Sequence, residues 1–421
     1  LVEDPARIPD STAAGLFLYV DDGVMAAATD AGSLRRFAAG KSGFAETPFH
    51  AEIDRAYREG VSWLVAADLA ALRDPGMSAR DAKGKEIAPA GVDRLRYVVL
   101  EHKTVGQQPQ LRASLEFAGK RQGVPAWLGA PAPMGSLEFV SPAAAAAACV
   151  LVEEPEAILD EIVASAAGSD GDALAELLQF QQEHNVDVRN DLAAPLGGEF
   201  LVALDGPVLP TPAWKAVLLV DDPARLQHTI ETLVADLSRK LQEEGKPGLA
   251  LAAEPLEGVP AWSLAMAGAE PSLHYVFWEG YLVMAPSRAQ LSDAIRNRAS
   301  GYTLPRSEAF QSALPVDGHD QFSAILYQNW ETLAGTVESF VPDAKNPEQA
   351  GELAEVRELL KNAKPMMLSA WAGADRIELA WAGPQGMNLM DLAAFGDLGR
   401  VLKAHRGGLV GEPEERRPAR H

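Results

Sequence analysis

Apolar and polar positions along the chain fall into a few recurrent words. In one, an apolar run is followed by two acids and a proline: Leu151 to Ile158 reads LVEEPEAI, Leu219 to Leu226 reads LVDDPARL, and Leu1 to Arg7 opens the same way with LVEDPAR. This predicts a strand that ends where a helix begins. Proline suits the first helical position, where its missing N–H costs nothing, and the preceding acids cap exposed N–H groups and oppose the helix dipole. Leu226, Ile230, Leu233, Leu237 and Leu241 then form one stripe, which predicts a helix from about Pro223 to Leu241. Ile158, Leu159, Ile162 and Val163 mark its counterpart in the earlier copy.

A second word is a turn between two apolar runs that feeds a helix. Leu16 to Leu34 pairs with Leu273 to Leu291, setting Gly23 against Gly280, Leu34 against Leu291 and, after a two-residue shift, Met25 against Met284. Asp21-Asp22-Gly23 and Trp278-Glu279-Gly280 read as hairpin turns with glycine at positive φ. Ser287 with Gln290 is a capping box for the following helix, and Asp30 holds the same cap position in the first copy. Both copies continue to Gly and an aromatic, Gly43-Phe44 and Gly301-Tyr302, and then to Phe49 and Phe310. A third word, GVPAW, occurs at Gly123 to Trp127 and at Gly258 to Trp262, and each is followed by Ser-Leu and an expected apolar strand, SLEFV or SLHYV.

Further helices are expected over Asp172 to Glu183 and about Glu352 to Lys361. Strands are expected over Glu199 to Gly206, Lys215 to Val220, Met367 to Ala372 and Ile377 to Ala382, with loops at Asp74 to Ala90 and Asn346 to Gly351. Strands joined by short turns as often as by helices favour an α+β fold over a doubly wound parallel sheet. The expectation is two related lobes from internal duplication, each an antiparallel or mixed sheet with helices packed on one face. The N-terminal lobe would span residues 1–140 and the C-terminal lobe 141–385, the Ala/Pro-rich SPAAAAAA stretch lying at the boundary. Residues 386–421 would be a loosely amphipathic segment, with Met390, Leu392, Phe395 and Leu398 for docking on its own domain first, or else on a partner or a membrane surface, running into a disordered tail beyond about Val410.

Composition narrows the function classes. The 421 residues are 47% hydrophobic and 23% charged, an ordinary globular balance that suits a soluble protein. Lys and Arg number 37 against 59 Asp and Glu, a formal net charge of −22 that repels phosphate backbones and anionic lipid, so nucleic acid is not an expected partner. The one cysteine, Cys149, lies in an apolar stretch and reads as a small buried hydrophobe. No apolar run is long enough to span a bilayer. The chain starts at Leu1 rather than Met, which raises the expectation of a leading export segment or anchor outside it.

Candidate chemistry is sparse. The acid pairs Asp21-Asp22, Glu153-Glu154 and Asp221-Asp222 could serve acid–base work or hold a cation, but they recur with the repeat, which assigns them to turns and caps. His319 in Asp317-Gly-His-Asp320 is the best local cluster of metal-ligating residues, and His184, Asp187, Asn190 and Asp191 faintly suggest a cation loop. No nucleophile elbow, phosphate-binding loop or dinucleotide fingerprint occurs, so no cofactor is expected. Seven of the eight tryptophans, Trp127, Trp214, Trp262, Trp278, Trp330, Trp371 and Trp381, read mainly as core, with Trp278 beside its turn the leading exception. Trp278 and His319 are therefore the candidate binding or interface residues.

The run LHYVFWEGYLVMAPSRAQLSDAI, followed by GYTLPRSEAFQSAL (with Gly301, Leu304, Ser307 and Phe310) and by FSAILYQN, resembles a family of exported bacterial proteins that share a domain of unknown function; LGGEFLVALDGP at Leu196 to Pro207 is similar to the same pattern. The resemblance covers about residues 141–385, with a weaker echo in 12–140. It implies a periplasmic or extracellular location and no particular activity. The functional expectation is a non-enzymatic binding, structural or assembly protein of the bacterial envelope, with a protein partner or self-assembly and room for a small ligand. The alternative is a hydrolase whose catalytic residues are dispersed over loops such as Asp74 to Ala90 or Val316 to Gln321.

Overall fold

A computed structural model describes residues 16–21, 24–38, 44–72, 91–106, 108–169, 171–206, 213–270, 272–316, 319–329, 332 and 364–382. In chain order these form β1 (Phe17–Asp21), β2 (Val24–Ala28), α1 (Ala31–Ala38), α2 (Pro48–Glu59), β3 (Trp63–Asp68), α3 (Leu69–Leu72), β4 (Leu95–Val105), β5 (Gln108–Phe117), α4 (Val124–Trp127), β6 (Ala146–Leu151), α5 (Pro155–Ser169) and α6 (Gly171–His184). They continue as β7 (Leu196–Leu204), β8 (Trp214–Val220), α7 (Pro223–Glu243), β9 (Leu249–Leu256), β10 (Val259–Met266), β11 (Leu273–Trp278), β12 (Tyr281–Ala285), α8 (Arg288–Ser300), α9 (Glu308–Ala313), β13 (Ala324–Gln328), β14 (Met366–Ala372) and β15 (Arg376–Ala382). The protein is mixed α+β. Leu1 to Arg7 and the expected helix at Glu352 to Lys361 lie outside the described residues.

Thirteen strands form one sheet in the order β3-β4-β5-β15-β14-β13-β6-β7-β8-β12-β11-β10-β9, and every neighbouring pair is antiparallel. β1 and β2 form a separate two-stranded sheet. Register decides which side chains share a face, because neighbours directly opposite one another point the same way and residues alternate along each strand. One face carries Cys149, Leu201, Val217, Val276, Val283, Ile325 and Tyr327, and α8 and α9 bury Leu291, Ala294, Ile295, Phe310 and Ala313 against it. The opposite face carries Leu218, Trp262, Tyr275, Phe277, Leu282 and Met284, and α7 lays Leu226 and Ile230 on it. Helices therefore pack on both faces, not on one. The reason is that β8 and β12 are apolar at successive positions, Val217-Leu218 and Leu282-Val283, so each strand needs cover on both sides.

The strand–acid–acid–Pro word folds as its capping chemistry dictates. Asp222 Oδ1 accepts the Arg225 N–H at 3.0 Å and Pro223 opens α7, while β6 leads into α5 at Pro155. The hairpin word does likewise, and its structural register corrects one sequence pairing. Val20 faces Met25 as Phe277 faces Leu282, so Met25 corresponds to Leu282 and the two-residue shift toward Met284 disappears. The third word behaves differently. GVPAW is a helical turn, α4, at Gly123 to Trp127, but a turn and the start of β10 at Gly258 to Trp262. SLEFV, expected as a strand, forms a 3-10 turn over Gly135–Phe139 that buries Leu137 and Phe139, whereas SLHYV enters β11 as expected. Four cross-strand pairs with β9, at Val259, Pro260, Ala261 and Trp262, hold the second GVPAW extended, so pairing context overrides local preference.

Between β11 and β12, both turn residues have positive φ, Glu279 at 47° and Gly280 at 83°, the geometry of a tight hairpin turn whose twist matches its strands. A Cβ on Gly280 would meet no atom within 4 Å, so substitution there tests backbone conformation alone. Gly280→Val is expected to lower the urea-unfolding free energy by roughly 1–2 kcal/mol, and Gly280→Asn by clearly less, because asparagine tolerates the left-handed region.

Candidate interaction surface

The two residues singled out by sequence are not brought together. Trp278 ends β11 and is partly buried against the main core; His319 precedes β13. Four strands, β6, β7, β8 and β12, separate β13 from β11, a span of about 24 Å at the usual strand spacing. The His319 ring lies 4.9 Å from that of Trp371, whose indole N–H donates to the Gln321 carbonyl at 3.0 Å. Asp317 and Gly318 lie outside the described residues, and among the described residues no group of three metal-ligating side chains occurs. In the other suggested cation loop the oxygens are engaged within the protein. Asp187 caps the turn through the Asn190 N–H, Asp191 pairs with Arg225, and His184 pairs with Asp236. The loop at Asp74 to Ala90 lies outside the described residues.

Trp278 does flank a buried polar cluster that the sequence did not reveal. Its cross-strand partner Tyr281 donates its hydroxyl to Glu199 Oε2 at 3.1 Å, and Glu199 Oε1 accepts the Ser136 N–H at 2.7 Å with the Cys149 sulfur 3.9 Å away. Glu199 is 3% exposed, Ser136 0% and Cys149 2%. Burial pushes the Cys149 thiol up to about 12, which leaves it protonated at neutral pH and a poor nucleophile. Burial, with the Glu199 charge beside it, also raises the Tyr281 hydroxyl well above its ordinary value. The Arg298 guanidinium lies over the Phe139 and Tyr281 rings and donates to the Gly135 carbonyl at 2.8 Å. A Cβ on Gly135 would approach the Tyr281 hydroxyl oxygen to 2.4 Å, so the 3-10 turn reaches this cluster only with glycine there. The arrangement ties that turn to β6, β7, β12 and α8. Its chemistry is structural.

Two surface features, a groove and an exposed apolar face, suit binding better. One is a groove of about 450 Å³ between α7 and the edge strand, with Leu249, Leu251, Ala253 and Trp262 as its floor and Val234, Ala235 and Ser238 as one wall. Ser238 Oγ both accepts the Leu249 N–H and donates to the Leu249 carbonyl, each at 2.9 Å, which closes part of the strand edge. The other is the outer face of the β1–β2 hairpin. On its inner side α1 buries Ala31 and Leu34, and the Tyr19 and Phe37 rings meet edge-on at 6.0 Å. On its outer side Leu16 is 70% exposed, Leu18 59%, Val20 69% and Met25 75%.

That outer face has an internal counterpart. Leu18, Val20 and Met25 hold the positions of Tyr275, Phe277 and Leu282, which α7 covers. The following elements match as well. Asp30 caps α1 through the Ser33 N–H and Ser287 caps α8 through the Gln290 N–H. Thr47 and Ser307 each close a short 3-10 turn by bonding back to Phe44 and Leu304, and each then caps the next helix through the His50 or Phe310 N–H. Among the described residues, the β11–β12 hairpin is thus covered on this side and the β1–β2 hairpin is not.

Comparisons with known proteins add little. No protein-family model matches the chain, and no curated protein does. Among solved structures, crystal forms III and I of TP0453 are similar at 10% and 11% identity, covering 62% and 63% of this chain and 85% and 86% of theirs, with TM-scores of 0.30 and 0.29. Overlap that loose carries no argument. Among the described residues no helix is long and apolar enough to cross a membrane.

The polar cluster makes two measurable predictions. Tyr281→Phe leaves the buried Glu199 carboxylate short of one donor and is expected to cost about 1.5–3 kcal/mol in urea unfolding. Cys149 is expected to remain unmodified by a thiol reagent at pH 8 in the folded protein and to react fully once denaturant unfolds it.

Proposed function

We propose that the chain is a non-enzymatic binding or assembly protein of the bacterial envelope, built from two related lobes by duplication. The duplication is supported by the shared order of hairpin, capped helix, 3-10 turn, helix, strand and second hairpin, which runs from β1 to β5 and again from β11 to β15. The strand order supports it too: β3-β4-β5 meets β15-β14-β13 as a palindrome. The envelope location rests on the sequence resemblance alone.

The observation that carries the binding role is that, among the described residues, none covers the outer face of β1–β2. Soluble proteins seldom leave contiguous aliphatic positions open unless they meet a partner. Leu18, Val20 and Met25 stand in register with residues that accept an amphipathic helix elsewhere in the same chain. The partner that fits is therefore a protein helix with aliphatic residues four apart, as Leu226 and Ile230 are in α7. Anionic lipid does not fit, because the net charge of −22 opposes it.

A synthetic peptide with the sequence of residues 219–243 serves as the probe. Titrated into the full chain, it is expected to bind saturably, and Met25→Asp is expected to abolish binding with an unchanged urea midpoint, since Met25 is exposed. No binding, or binding indifferent to Met25→Asp, would contradict this role for the hairpin.

A further inference from the structure

Among the described residues, α7 covers the second face of the large sheet at one end. Toward the middle, one cross-strand row reads Trp381, Leu368, Leu326, Ala148, Val202 and Ala216, on β15, β14, β13, β6, β7 and β8. All six are apolar. Leu326 is 39% exposed and Val202 57%, and Ala148 between them is exposed as well, so the row is open at its centre. Trp381 lies one residue before Ala382, the last described residue of β15, so the remaining chain starts beside this row.

We propose that residues 387–402, which follow β15, lie across this row as an amphipathic helix and cover it. Four residues, Gly383 to Gly386, are available to turn the chain. In a helix, Met387, Met390, Ala394, Leu398 and Val401 fall on one side, with Phe395 toward its edge and Leu392 on the opposite side. Sixteen helical residues span about 24 Å at 1.5 Å each, and four strand spacings carry β15 to β7 in about 19 Å, so the stripe matches the row in length. The direction is set by the exposed positions. Toward β3 the same row continues to Leu111, which is 0% exposed, and then to His102 and Trp63, whose rings already stack on each other at 5.8 Å. Residues 387–402 themselves carry Asp391 and Asp397 against Arg400, so the match rests on length and apolar pattern and not on attraction to a chain of net charge −22. The same net charge disfavours a second copy as the cover. This surface is independent of the β1–β2 face.

Cysteine cross-linking tests it in the full chain. The only native thiol, Cys149, is buried, so introduced cysteines are the accessible ones. With a short bismaleimide, Val202→Cys with Leu398→Cys is expected to give a monomeric cross-link. Val65→Cys with Leu398→Cys, placed on the far side of β15 at a residue 58% exposed, is expected to give none. A dimeric product alone would assign the face to a second copy and overturn the proposal, as would a cross-link only from position 65 or none from either. A single Val202→Cys variant provides the second arm: truncation after Gln385 is expected to speed its maleimide labelling several-fold, and an unchanged rate would overturn the proposal whatever the cross-links show.

Discussion

The structure depends on one constraint, that the central strands of a continuous antiparallel sheet are apolar on both faces. β8 and β12 carry Val217-Leu218 and Leu282-Val283, and a strand of that kind is stable in water only when something packs on either side. α8 satisfies one side with Leu291, Ala294 and Ile295, and α7 satisfies the other with Leu226 and Ile230. Every other feature of interest is a place where this double cover runs out. The β1–β2 hairpin has α1 on one side and nothing described on the other. The row through Leu326, Ala148 and Val202 is packed on its inner neighbours and open on itself.

Buried charge follows the same logic. Three buried charged groups enter the interior where donors and acceptors close on one another, although the Gln110 amide nitrogen and the Ser369 hydroxyl are buried without a hydrogen-bond partner among the described residues. Glu199 meets Ser136 and Tyr281, Asp205 accepts from Lys215 at 2.5 Å and from the Ser141 N–H at 2.8 Å, and Lys103 pairs with Glu59 and Glu101. Each of these ties a loop or helix to a strand on the first face. Their effect is to fix the placement of irregular segments, and the raised Cys149 thiol argues against reading the Glu199 cluster as a nucleophile with its base.

What was legible in the sequence is what local chemistry determines. Asp222-Pro223 announces α7 because a cap and a preset φ act within one turn, and Glu279-Gly280 announces its hairpin because few residues adopt that turn. GVPAW misled because five identical residues take their conformation from what surrounds them. In α4 the Trp127 indole donates to Glu161 Oε2, while in β10 Trp262 is pinned by Ala253 across the ladder and stacked on Tyr275. The single continuous sheet was not legible, since β5 and β15 pair across more than 250 residues of chain. Trp278 was found beside a real cluster, yet Glu199, its central member, gave no signal: one acid in an apolar strand declares its role only when Ser136 and Tyr281 arrive from elsewhere. The open hairpin face was equally hidden, because openness is a property of missing neighbours.

The central claim, that the outer face of β1–β2 is an interface, is tested most directly by methionine oxidation followed by mass spectrometry, in the purified chain and in intact cells that make it. Met25 is 75% exposed, whereas its neighbour in the matching hairpin, Met284, packs beneath α7. In the purified chain Met25 should oxidise rapidly and Met284 slowly. In cells Met25 should become protected while Met284 is unchanged. Equal oxidation of Met25 in both settings would mean that the face stays in water, and would contradict the account.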